Sequence, residues 1–233
     1  MTDRTVDDSQ RAYARFAGFM YLVVLVFDVA GVLIVSGIAG HGGFVDTSHR
    51  IMASEELYRI GLACSLVGSL STILLAVGLY IAVKPVDSNL ALTALLFRVT
   101  EAATGAVGII IGFAVLHIYL AANHANAFDA KQLGALADLF PGGPEVSAIF
   151  FSLGSTIFFY LFLKSNYIPK IVSVWGIFAS LVYATYWLVS LILPQYASGT
   201  VTVLSSLPIL VAELSTGFWL LILGIKAPKN KES

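Results

Sequence analysis

Apolar residues run along this chain in six long stretches, covering residues 16–40, 60–83, 89–122, 146–163, 171–193 and 202–225. A helix rises about 1.5 Å per residue, so about 17–25 residues cross ~30 Å of hydrocarbon. Barrel strands would be about 10 residues long and strictly alternating, and these stretches are neither. The pattern predicts an all-α fold: a polytopic transmembrane helix bundle of six spans forming a single membrane domain over residues 1–233.

The breaks carry turn chemistry. Gly40-His-Gly-Gly43 follows the first span and Lys84-Pro85-Val-Asp-Ser88 the second. Pro141-Gly-Gly-Pro144 opens the fourth, with Glu145 in its first turn, where a carboxylate suits the helix dipole. The third stretch is longer than a bilayer needs, so it is expected to project beyond the lipid near His117 to Asn123. The two longest loops, 41–57 and 123–143, fall on one side and are candidates for a small cap.

Lysine and arginine set the orientation. Arg4, Arg11, Arg15, Lys84, Lys164, Lys170, Lys226, Lys229 and Lys231 share one face; Arg50, Arg59 and Lys131 share the other. The positive-inside rule then places both termini in the cytoplasm. The first span exceeds a signal-peptide core in length and contains Asp28, which argues against cleavage.

Composition sharpens the class. The chain is 58% hydrophobic and 12% charged, with 13 basic against 14 acidic residues, and its mean hydropathy is +0.88. Soluble domains carry about 25% charged residues, so an ordinary soluble enzyme is excluded. No basic surplus exists for a nucleic-acid partner. A lone Cys64 leaves no disulfide framework and no cysteine-based metal centre.

Ionisable residues inside spans are expensive and therefore informative, at about 2.5–3.5 kcal/mol each on insertion scales. Counted from the cytoplasmic ends, Asp28 and Glu213 lie about 18 Å deep, Glu101 about 16 Å and Arg98 about 12 Å. A mid-membrane cluster of these four is expected. Fully ionised it would carry −3 + 1 = −2, which favours a protonated carboxyl or a bound cation.

Small and polar stripes frame the cluster. Ala91, Ala94, Arg98, Glu101, Gly105, Gly108 and Gly112 recur at alternating intervals of 3 and 4, with Gly108 and Gly112 as a GxxxG pair. Ser173, Gly176, Ser180, Tyr183, Trp187 and Ser190 do so along the fifth span, and Gly61, Ser65, Gly68 and Thr72 along the second. Thr202, Ser206, Glu213 and Gly217 share a face of the sixth, and Tyr21, Asp28 and Gly31 one of the first. Tyr21, Ser65, Ser180, Tyr183, Trp187 and Ser206 are the candidate site lining. Pro208 frees the carbonyl of Leu204 and is expected to bend the sixth helix.

His41, His49, His117 and His124 map to the outer side without HxxxH or HxH spacing, so they read as solvated or interfacial rather than as metal ligands. There is no nucleophile elbow, P-loop or HExxH. No catalytic residue, metal or cofactor is expected.

Several segments together resemble the bacterial integral membrane proteins of domain-of-unknown-function family 4386. They are Ala53-Ser-Glu-Glu-Leu-Tyr-Arg-Ile-Gly61, Phe97-Arg-Val-Thr-Glu-Ala102, Tyr167-Ile-Pro-Lys-Ile-Val-Ser-Val-Trp-Gly176, and Leu207-Pro-Ile-Leu-Val-Ala-Glu213 with Gly224-Ile-Lys226. The resemblance covers about residues 10–227. It implies a multi-span bundle in a bacterial cytoplasmic membrane, with Arg98, Glu101 and Glu213 at the family's charged positions and no assigned activity. Ser65 stands where many members have an acidic residue. The leading expectation is a binding or permeation protein whose partners are the bilayer and a proton, cation or small solute. The alternatives are a sensor or assembly partner whose buried charges are structural, and a membrane-embedded enzyme acting on a lipid or quinone.

Overall fold

The computed structural model describes residues 7–121, 130–138, 144–196 and 199–226, and among these it contains no strand. Eight α-helices follow one another: α1 Asp8–Ala39, α2 Phe44–Ala53, α3 Glu55–Val83, α4 Ser88–Ala121, α5 Ala130–Asp138, α6 Pro144–Ser165, α7 Lys170–Ile192 and α8 Gly199–Ile222. Six of them, all but α2 and α5, are long and apolar enough to cross a membrane. The protein is a multi-pass integral membrane protein with an all-helical fold.

Local chemistry explains where the helices stop. Gly40, at the end of α1, adopts φ +59, a conformation costly for a residue with a Cβ. Arg50 of α2 then donates to the last carbonyls of α1, Ile38 O and Ala39 O. At the start of α4, Asp87 accepts the backbone N–H of Leu90 at 3.2 Å and the Lys164 ammonium at 3.3 Å. This is an N-cap reinforced by a neighbouring helix. Gly224, at φ +67, closes α8 with its N–H on Leu220 O and Trp219 O.

The chain divides into two compact units. The first comprises Met1–Val23, Ser71–Ala102 and Glu145–Ser233; the second comprises Val24–Leu70 and Ala103–Pro144. In the second, α2 and α5 occupy stretches expected as loops, and they touch each other. Thr47, Ser48 and Ile51 form the buried face of α2. Ile51 joins Tyr58, Leu62 and Leu116 in an apolar cluster, while Phe44 stacks on Tyr119 with ring centroids 5.0 Å apart.

The first unit is built on close helix approach. A Cβ at Gly18 of α1 would run into the α8 backbone at Gly217 and Leu221, and one at Gly217 would meet the Cβ of Tyr21 at 2.9 Å. Gly176 of α7 lies against the Phe159 ring of α6 in the same manner. Small residues at such contacts let dispersion replace the missing hydrophobic drive between helices in lipid. On α4, Ala91 and Ala94 are fully buried. In the second unit the same helix brings Gly112 against Leu62, while a Cβ at Gly108 would meet nothing within 4 Å.

Two outcomes are expected in thermal unfolding of the purified protein. Gly18→Val destabilises by about 1–3 kcal/mol, since the α8 backbone cannot yield as a side chain would. Gly37→Ala, where the added Cβ meets nothing, leaves the midpoint unchanged or slightly raised. A second test uses pH. The Leu90 N–H and then Lys164 hold Asp87 below the ordinary carboxylate range. A carboxyl lowered on folding contributes stability above its unfolded pKa and loses it as pH falls through the folded value. Asp87→Asn therefore lowers the midpoint at neutral pH, and the difference from wild type closes in acid.

Candidate functional site

The first unit places a guanidinium inside the apolar spans. Arg98 lies on α4 about 15 Å from its start. Its side chain is 2% exposed, while Glu101 and Glu213 are 16% and 19% exposed. Nη1 of Arg98 lies 3.1 Å from Oε2 of Glu101, one turn on, and 4.0 Å from Oε1 of Glu213 on α8. The same nitrogen is 3.4 Å from Oγ of Ser155 on α6. The face of the group is covered by Phe151, with Cζ 4.8 Å from the ring centroid, a cation–π contact.

Neighbouring positions make room for this arrangement. A Cβ at Gly154 would lie 3.0 Å from Cγ and 3.1 Å from Cδ of Arg98, so the glycine seats the aliphatic stem. Tyr21 of α1 packs on Gly217, one turn from Glu213, and its phenol feels the charges of Glu213, Arg98 and Glu101. Phe151, Gly154 and Ser155 were not among the expected lining. A phenylalanine in an apolar helix carries no sequence signal, whereas Ser152, Gly154 and Ser155 together mark a small polar face on α6.

A second tier continues from Phe151 onto α7. Phe151 meets Tyr183 edge-on at 5.7 Å, and Tyr183 meets Trp187 edge-on at 5.9 Å. Trp187 also meets Tyr186 at 5.1 Å. These aromatics face a polar stripe on α8, the helix that lies against α7. The Tyr186 hydroxyl contacts Oγ1 of Thr202, and Tyr183 lies near Ser206. Ser206 itself donates to Thr202 O at 2.7 Å. Ser180 and Thr216 are fully buried, and their hydroxyl oxygens have no hydrogen-bond partner among the described residues. Pro208 is accommodated within α8, and its carbonyl accepts the Trp175 indole N–H at 3.0 Å.

The other expected residues lie in the second unit. A Cβ at Gly68 of α3 would overlap Oδ1 of Asp28, so that carboxylate rests directly on the glycine. Ser65 lies one turn away against Gly31, and its hydroxyl donates to Gly61 O at 3.3 Å. The structure thus brings Arg98, Glu101 and Glu213 together in one unit and assigns Asp28 and Ser65 to the other. His41, His49 and His117 are exposed, and His124 lies outside the described residues. Among the described residues, no group of three His, Cys, Asp or Glu side chains is placed to hold a metal ion.

Fully ionised, Arg98, Glu101 and Glu213 sum to +1 − 2 = −1. The guanidinium is the most deeply buried of the three side chains, and the carboxylate oxygens nearest to it, Oε2 of Glu101 and Oε1 of Glu213, are themselves buried. Removing one partner of such a pair leaves uncompensated charge in a low dielectric. Arg98→Ala is expected to cost about 3–5 kcal/mol at neutral pH. The penalty shrinks as acid protonates the two carboxyls, which thermal unfolding across pH will register.

The chain matches one family model, Domain of unknown function (DUF4386), over residues 16–224. No curated protein and no solved structure matches it. The match spans nearly the whole membrane region, α1 through α8, and takes in Arg98, Glu101 and Glu213. This chain belongs to the DUF4386 family.

Proposed function

We propose that the protein binds or passes a small solute or ion at the Arg98–Glu101–Glu213 cluster, with occupancy linked to a proton or cation. The observation that carries this reading is the inversion of exposure within the cluster, where the guanidinium is 2% exposed and its carboxylates are 16% and 19% exposed. An accessible ionised acid inside an apolar span is costly, so it takes up a proton or a cation. The groups near Glu213 include Tyr21 on α1, Arg98 and Glu101 on α4, and Tyr183 on α7. The excess of lysine and arginine on the side of the termini supports a cytoplasmic placement for both, in a bacterial cytoplasmic membrane.

A structural reading has its own support: Arg98 and Glu101 are neighbours on one helix, and Ser155 and Phe151 complete the enclosure. Such a network fixes helix register without any ligand. Proton uptake between about pH 5 and 9, where a carboxyl shifted by its surroundings titrates, separates the two. The binding reading predicts a proton-linked transition in wild type that disappears in Glu101→Gln or Glu213→Gln while the variants remain folded. An absent transition, with both variants strongly destabilised, would establish the structural reading instead.

A further inference from the structure

We infer that α8 is a two-part helix whose first part, residues 199–207, opens as a gate about Pro208 while the second, residues 208–222, stays fixed. As a regulator of access to Glu213 the gate rests on the reading proposed above. As a moving part it stands on the packing and hydrogen bonding of α8 itself.

The two parts are held very differently. Beyond Pro208, Gly217 packs backbone-close against Gly18 and Tyr21 of α1, and Glu213 lies 4.0 Å from Arg98 of α4. The buried residues Ile209, Ala212, Thr216, Gly217 and Leu220 all fall in this part, and only Ser205 is buried before the proline. In the first part Val201, Val203, Leu204 and Leu207 are exposed, and a Cβ at Gly199 would meet nothing within 4 Å.

The backbone is weakened where this change occurs. Pro208 has no N–H to give to Leu204 O, and its ring crowds that carbonyl. Half a turn earlier, the hydroxyls of Ser205 and Ser206 both donate to Thr202 O, at 2.9 and 2.7 Å. Such back-bonding competes with the helical ladder and bends it. Two perturbed carbonyls thus precede the clamped part, and a short run of this kind can absorb a hinge rotation. Trp175 of α7 donates to Pro208 O at 3.0 Å and holds the pivot. The Tyr186 hydroxyl, on Oγ1 of Thr202, holds the first part closed against α7. Thr202, Ser206 and Glu213 share one face of α8. Swinging the first part away from α7 therefore uncovers hydroxyls in line with Glu213, about 10 Å beyond Ser206 along the helix.

The test is thiol labelling of the full-length protein in nanodiscs. Cys64→Ala removes the native thiol, and Ser205→Cys or Thr216→Cys then places one on either side of Pro208. Both positions are buried, and each lies six residues from its own end of α8, about 9 Å of helix. A water-soluble maleimide is expected to modify the Ser205→Cys protein faster than the Thr216→Cys protein. Tyr186→Phe, which releases the closing contact, raises the Ser205→Cys rate about 2- to 10-fold, the range of one hydrogen bond. Pro208→Ala, which restores the helical bond to Leu204 O, lowers it by a similar factor. Should Tyr186→Phe fail to fold, Pro208→Ala carries the test alone. Equal rates at the two positions, or a Ser205→Cys rate that Pro208→Ala leaves unchanged, overturns the gate. Proton uptake is read separately: its absence overturns the proposed site and leaves the hinge standing, whereas uptake in a protein whose α8 does not open overturns the gate alone.

Discussion

A guanidinium in hydrocarbon has to be enclosed by acceptors and π-density before the helices around it are stable, and Arg98 imposes that requirement on the first unit. An isolated charge at this depth would cost several kcal/mol even on lenient scales, about 2.5–3.5. The enclosure draws on three helices: Glu101 from α4 itself, Ser155 and Phe151 from α6, and Glu213 from α8. Two of these partners, Glu101 and Glu213, are carboxylates that lie 3.1 and 4.0 Å from the same guanidinium nitrogen. Their geometry matters more than the strength of any one contact, since it fixes the rotation of α4, α6 and α8 about their own axes.

The small residues of the unit serve that enclosure. Gly154 admits the arginine stem, and the mutual approach of Gly18 and Gly217 sets the height of α8 against α1. One turn from Gly217, that height decides where the Glu213 carboxylate ends. The same rotation turns Thr202 and Ser206 towards Tyr186 and Tyr183. Packing and polarity are thus two consequences of a single helical phase. The result is a cluster whose positive member is more deeply buried than its negative members, and the proposed function rests on that asymmetry.

The spans were legible because uncharged length is a direct consequence of bilayer thickness, needing no knowledge of packing. Arg98, Glu101 and Glu213 were legible for a related reason, since an ionisable residue in an apolar run stands out wherever it points. Asp28 stood out in the same way, and its carboxylate rests on Gly68 within the second unit. The helices α2 and α5 were missed because 10 and 9 residues of mixed polarity resemble loops; tertiary contact, such as Phe44 against Tyr119 and Gly134, stabilises them. Phe151 was illegible altogether, one phenylalanine in a helix rich in them. The GxxxG spacing at Gly108 and Gly112 is half used: Gly112 packs on Leu62, and a Cβ at Gly108 would meet nothing within 4 Å.

The account's central claim is that Arg98 and Glu213 hold α4 and α8 through one shared charge network. A double-mutant cycle of Arg98→Met and Glu213→Gln, read by unfolding free energy in the same detergent at neutral pH, tests it most directly. Residues in one ion-pair network couple by about 0.5–3 kcal/mol, whereas independent sites add to within about 0.3–0.5 kcal/mol. The account predicts a coupling above about 1 kcal/mol, with the double variant more stable than the sum of the single losses implies. Strict additivity would contradict it.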